Sequence, residues 1–103
     1  MAGWIRVASL ADVPEGSTRL VEAGGEAVCL YNLGGTICAT QDTCTHAQAS
    51  LSEGFIEGDA IECPLHQAMF DVRTGKALTP PATEDLRVFE VRVEGDAISV
   101  LAD

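Results

Sequence analysis

Two short pairs of metal-binding side chains constrain this 103-residue chain more than any other feature: Cys44-Thr45-His46 and Cys63-Pro64-Leu65-His66, separated by the 16 residues 47–62. They contain both histidines of the protein and two of its four cysteines. Each pair offers one thiolate and one imidazole, so the two converge on one centre if a hairpin brings their segments together. The intervening stretch 54–62, with its Glu57-Gly58-Asp59 turn, suits that task. A buried polar histidine or an inert thiol explains one such residue easily and explains both pairs together poorly. Two cysteines and two histidines satisfy either a closed tetrahedral zinc site or an iron-sulfur cluster, and donor type alone leaves that choice open.

The rest of the chain is written for strands. Short apolar alternations lie at 4–8, 18–22, 27–31, 36–40, 55–56, 60–62, 69–72, 86–93 and 97–101. Tight turns separate them at Ala23-Gly24-Gly25, Leu33-Gly34-Gly35, Glu57-Gly58-Asp59, Thr74-Gly75-Lys76 and Glu94-Gly95-Asp96. The clearest alternation is 86–93, read as one strand with a buried face and interrupted at Arg87 and Glu90. Residues 9–13 have room for a single helical turn, and no window supports a longer helix. An all-β fold follows, in one domain spanning 1–103. The segment Glu-Gly-Asp-Ala-Ile occurs twice, at 57–61 and 94–98, and reads as two similar hairpins rather than as a structural repeat.

Sixteen acidic residues against six basic ones give a net charge of -10, which disfavours nucleic acid as a partner. That acidity either keeps a small protein soluble or steers it toward a basic patch on another protein. No apolar run approaches the roughly 20 residues of a membrane span. The start, Met1-Ala2-Gly3-Trp4-Ile5-Arg6, does not read as a secretory leader, so a cytoplasmic, reduced setting is expected. There, cysteines serve metals or remain thiols.

Taken with the run Phe70-Asp71-Val72-Arg73-Thr74-Gly75-Lys76-Ala77 and the segment Pro80-Pro81, the pattern C-x-H-x16-C-x-x-H resembles the Rieske-type 2Fe-2S ferredoxins of bacterial aromatic ring-hydroxylating dioxygenases. The match spans nearly the whole chain and disfavours zinc. It implies stacked antiparallel sheets with a small cluster-binding subdomain, approximately 42–82, formed by two loops. It implies one Rieske 2Fe-2S cluster, with Cys44 and Cys63 on one iron and His46 and His66 on the other. Two neutral imidazoles in place of two thiolates leave the oxidised cluster without net charge, which eases reduction, and the added electron goes to the histidine-bound iron. The imidazole edges are then the exit for electrons.

By that resemblance the protein is no enzyme by itself. It takes single electrons from an NAD(P)H-dependent flavoprotein reductase and passes them to a terminal Rieske oxygenase, working as a monomer. The chain has no further histidine for a mononuclear iron and no glycine-rich dinucleotide fingerprint. The alternatives are a Rieske-like small subunit of another oxidoreductase, such as a nitrite reductase, and a structural zinc-binding module.

Several positions depart from the respiratory members of the wider family. The loop cysteines those proteins join in a disulfide correspond to Ala49 and Leu65, and their sulfur-bonding serine and tyrosine correspond to Ala68 and Phe70. Fewer donors to sulfur destabilise the electron-rich state, so a potential near the low end of the Rieske range, roughly -150 mV, is expected. Gln67 stands where many Rieske proteins have glycine, either bonding within the loop or as a plain surface residue. Pro80-Pro81 would cover the cluster as a rigid third loop, or simply break a strand. Cys29 and Cys38 flank a turn: a loop of two or four residues makes them face each other, and a loop of three places them on opposite faces. Trp4 is expected in the core or at an edge. Glu53 and Glu57 are the candidates for electrostatic steering, with Leu65 for apolar contact.

Overall fold

Hairpin chemistry sets the architecture. The computed structural model describes residues 3–45, 48–65, 67–80 and 84–102, and their ten strands are β1 (Gly3–Ser9), β2 (Thr18–Ala23), β3 (Glu26–Leu33), β4 (Thr36–Gln41), β5 (Phe55–Glu57), β6 (Ala60–Glu62), β7 (Met69–Asp71), β8 (Val88–Phe89), β9 (Val91–Glu94) and β10 (Ala97–Ala102). Three antiparallel sheets result, in the orders β1-β10-β9, β2-β3-β4-β8 and β5-β6-β7. The expectation of an all-β fold is met. The only helical structure among the described residues is two 3-10 turns, Leu10–Asp12 and Leu51–Glu53. The first falls where a helical turn was expected, with the Ser9 N–H donating to Asp12 Oδ2 at 3.0 Å.

Four hairpins turn through two residues: Ala23 pairs with Glu26, Leu33 with Thr36, Glu57 with Ala60 and Glu94 with Ala97. Gly34 and Gly35 show why, since both take positive φ, 64° and 105°, as a type I′ turn demands. The two Glu-Gly-Asp-Ala-Ile segments are indeed two separate hairpins, in different sheets.

Strand β3 lies at the centre and is buried on both faces. Val28 and Leu30 point toward the β1-β10-β9 sheet, into a core with Ala8, Val13, Ala39, Phe89, Ile98 and Val100. Cys29 and Tyr31 point the other way, into a second core with Cys44, Leu51, Ile61, Cys63, Phe70 and Val72. Alternation along one strand therefore glues the first sheet to one side of the central sheet and the two cysteine-bearing segments to the other.

Two sequence expectations need correction. Residues 86–93 do not form one strand: β8 pairs with β4 (Ala39 with Phe89, Thr40 with Val88), whereas β9 pairs with β10. The apolar phase slips by one between Val88 and Phe89, which no single pleat can accommodate. The chain changes sheets at Glu90, whose carbonyl accepts the Leu101 N–H at 3.0 Å. Cys29 and Cys38 share a face, as a two-residue loop requires, yet they do not stand opposite one another. Cys29 pairs with Thr40 and Cys38 with Tyr31, two residues apart along the ladder, and both remain thiols. Trp4 meets the second of its two expectations: it lies on the edge strand β1, on its outer face and 41% exposed, with the Arg92 guanidinium 4.5 Å from its ring centroid.

Candidate metal centre

Both cysteines of the expected donor set head a six-residue loop. Thr43 pairs with Ser50 around the first, and the Cys44 N–H donates to the Ala49 carbonyl at 2.9 Å. Glu62 pairs with Met69 around the second, and the Cys63 N–H donates to the Ala68 carbonyl at 2.7 Å. The two loops are thus built to one plan, each opening on a cysteine and closing on a Gln-Ala pair, 48–49 and 67–68. His46, Ala47 and His66 lie outside the described residues, as does Pro81.

Both thiols are buried, in the same core, and within hydrogen-bond reach of each other. Burial pushes the Cys63 thiol up to about 11; the Leu65 main-chain N–H on its sulfur pulls it back, and the neighbouring Cys44 pushes it further up. Two thiolates on one tetrahedral metal stand about 3.8 Å apart for metal-sulfur bonds of roughly 2.3 Å. Adjacent sulfurs therefore fit a single shared iron, and ligation would replace the Cys63 proton that burial favours. The Leu65 N–H is a donor aimed at sulfur, of the kind that tunes a cluster.

Around the loops the wall is apolar. Ala68 and Phe70 are fully buried, so the positions expected to lack hydroxyl donors line this core with hydrocarbon alone. Leu65, Gln48, Gln67 and Glu53 are exposed on or next to the two loops, whereas Glu57, also exposed, lies at the β5-β6 turn, the end of that hairpin away from Cys63. Gln67 is a surface residue, and its φ of 58° is the only positive value at a non-glycine among the described residues. That backbone explains the preference for glycine there, a signal the sequence alone did not reveal.

A third segment approaches both loops. The Thr45 hydroxyl donates to the Glu84 carbonyl at 2.8 Å, and the Met69 N–H, at the exit of the second loop, donates to Thr79 Oγ1 at 3.0 Å. Asp85 Oδ1 accepts the Ala77 N–H at 2.9 Å. Pro80 is exposed between these anchors, beside rather than within a strand.

Sequence reasoning missed Asp42 and the buried pair beneath it. Asp42 is 4% exposed at the end of β4, with Oδ1 accepting the Ser52 N–H at 2.9 Å and Oδ2 accepting the Ser50 hydroxyl. Tyr31 and Thr40 share a hydroxyl hydrogen bond of 2.8 Å in the interior. Burial pushes the Cys29 thiol up to about 12 and the Tyr31 phenol above its ordinary value, so both stay protonated. An acidic residue carries no mark in a single sequence that it will be buried.

Comparison with known proteins places these loops in context. The model of the Rieske [2Fe-2S] domain matches residues 3–90. The ferredoxin component of the naphthalene 1,2-dioxygenase/salicylate 5-hydroxylase systems of Ralstonia sp is 50% identical over 91 residues, 88% of each chain. A solved complex of reduced oxygenase and oxidised ferredoxin in carbazole 1,9a-dioxygenase contains a chain 43% identical, with a TM-score of 0.88, covering 94% of this chain and 91% of that one. A putative NADH-dependent nitrite reductase small subunit from Mycobacterium tuberculosis shares the fold, with a TM-score of 0.88, at 21% identity over 100% of this chain and 97% of its own.

Proposed function

Since this chain belongs to the Rieske [2Fe-2S] domain family and carries one such cluster, we propose that Cys44 and Cys63 hold one iron, and His46 and His66 the other. The observation that carries this reading is the meeting of two buried cysteine sulfurs at the heads of two loops closed alike. When bound, the cluster supplies a reversible one-electron couple. The chain's own residues hold it: the main-chain N–H of each cysteine fixes its loop, the Leu65 N–H faces the Cys63 sulfur, and Ala68 and Phe70 keep water from the protein side.

The protein is an electron-transfer component of an aromatic ring-hydroxylating dioxygenase system and no enzyme by itself, in keeping with relatives that are ferredoxin components of such systems. Its electrons come from an NAD(P)H-dependent flavoprotein reductase and go to a terminal Rieske oxygenase, and it works as a cytoplasmic monomer. No helix among the described residues is long and apolar enough to cross a membrane. One domain, 1–103, carries the cluster on the part spanning approximately 42–82. With Leu65 exposed, Glu53 exposed nearby and Glu57 exposed at the β5-β6 turn, contact is brief, salt-sensitive and centred on the histidine edges. The buried methyl and phenyl groups of Ala68 and Phe70 keep the potential toward the low end of the family range, roughly -150 mV.

Analysis of the purified protein should give two irons and two acid-labile sulfides per chain, and a flavoprotein reductase with NAD(P)H should bleach it by one electron per cluster. A colourless, zinc-loaded protein from cells competent in cluster assembly would overturn the ligand assignment.

A further inference from the structure

Asp42 is the only charged side chain buried among the described residues. It stands two positions before Cys44, and every polar group it carries is spoken for. Its N–H donates to the Ala27 carbonyl at 3.1 Å, its carbonyl accepts the Leu51 N–H at 2.7 Å, and its carboxylate takes the Ser52 N–H and the Ser50 hydroxyl. These bonds fasten the exit of the first loop, 50–52, to the end of β4.

Holding that exit does not require a charge. An asparagine would accept the Ser52 N–H equally well, at less cost than a carboxylate withdrawn from water. The three ion pairs among the described residues are Arg73 with Asp59, Arg87 with Glu26 and Arg92 with Glu94, so none of them neutralises Asp42. Two dipoles, a hydroxyl and a peptide N–H, stabilise the carboxylate but leave its net charge in place. Asp42 stands two residues before Cys44, at the end of the strand β4 that pairs with β3, and β3 sends Cys29 and Tyr31 into the same core as Cys44 and Cys63.

We propose that Asp42 is a positioning residue with a second, electrostatic role: it clamps the exit of the first cluster loop, and its buried negative charge opposes the added electron and lowers the cluster's reduction potential. The proposal rests on the ligand assignment above, since the charge acts through the cluster that Cys44 helps to hold. It supplies a cause of low potential independent of the hydroxyl donors absent at positions 68 and 70.

Voltammetry of the cluster-loaded protein and two variants tests it. Asp42→Asn keeps the shape of the clamp and removes the charge, so its potential should rise by an amount on the order of tenfold in the one-electron equilibrium, about 59 mV. Iron, sulfide and the visible spectrum should stay those of the unsubstituted protein. Ser50→Ala removes a dipole that offsets the charge, so its potential should fall. An unmoved potential in Asp42→Asn with an intact cluster overturns the proposal, as do shifts of the same sign in the two variants. Should Asp42→Asn fail to retain its cluster, Ser50→Ala decides alone, and a potential that rises or stays put there overturns the proposal. Absence of a 2Fe-2S cluster from the unsubstituted protein would instead defeat the ligand assignment.

Discussion

The stretches 44–49 and 63–68 each run six residues from a buried cysteine to a Gln-Ala pair, closed by nearly equal hydrogen bonds of 2.9 Å and 2.7 Å, yet they are held in place by different means. The second joins adjacent strands of one sheet, β6 and β7, whose three residue pairs fix it chiefly by main-chain bonding, with Thr79 Oγ1 adding one side-chain acceptor for the Met69 N–H at its exit. The first joins the end of β4 to a 3-10 turn and has one isolated bridge, Thr43 with Ser50. What it lacks in ladder it recovers through side chains, Asp42 on its exit and Thr45 on the third segment. Two halves of the proposed metal site can thus share a shape while one rests mainly on local pairing and the other on long-range polar contacts. Side-chain substitutions should therefore damage the first loop more, and backbone changes the second.

The largest expected effect tests the symmetry itself. Cys44→Ala and Cys63→Ala should each abolish the cluster, measured as loss of iron and acid-labile sulfide; retention of a full cluster in either would break the equivalence of the loops. Next comes Gly54→Ala, at the place where the loops' supports press together. A Cβ there would stand 2.1 Å from the Glu62 carbonyl oxygen, next to Cys63. Main chain meets main chain at that point, so the variant should lose about 2–3 kcal/mol and on the order of 10 °C in Tm by calorimetry. A Tm unchanged would show that the second loop can yield.

A smaller effect belongs to the first loop alone. Thr45→Val keeps the volume and removes the hydroxyl bonded to Glu84, worth about 1 kcal/mol. Release of the third segment should speed loss of the visible cluster absorbance under a chelator roughly fivefold, while the potential stays nearly fixed. An unaltered rate would mean that the segment is held by Thr79 and Asp85 without help. Smallest, and opposite in sign, is Gln67→Gly in the second loop. Relief of a left-handed backbone at φ 58°, partly offset by the freedom of glycine in the unfolded chain, should stabilise by about 0.5 kcal/mol and raise Tm by a few degrees. A fall in Tm would show that the Gln67 side chain supports the loop.

Turn chemistry was legible from the residues because it is decided within four of them. Gly34-Gly35 marked a tight loop and so its flanking strands, but the sequence left open whether the loop has two, three or four residues, and the shared face of Cys29 and Cys38 was settled only by the pairing of Leu33 with Thr36. The step by which those cysteines miss each other was also implicit in the pairing of Leu33 with Thr36, once the loop length was known. Cys44 and Cys63 stood out for a different reason, the rarity of such spacing without a metal. The division of 86–93 between two sheets was written as a slip in apolar phase, but nothing local says which strand waits on either side of Glu90. The sequence by itself determined the hairpins and the all-β class, and it singled out the cysteines proposed to carry the site, because those depend on bonds between near neighbours or on a distinctive set of donors. Only the tertiary structure decided that β3 would be buried on both faces, that Asp42 would be withdrawn from water, and that Thr45 would reach Glu84, because burial and long-range hydrogen bonds are set by segments tens of residues away.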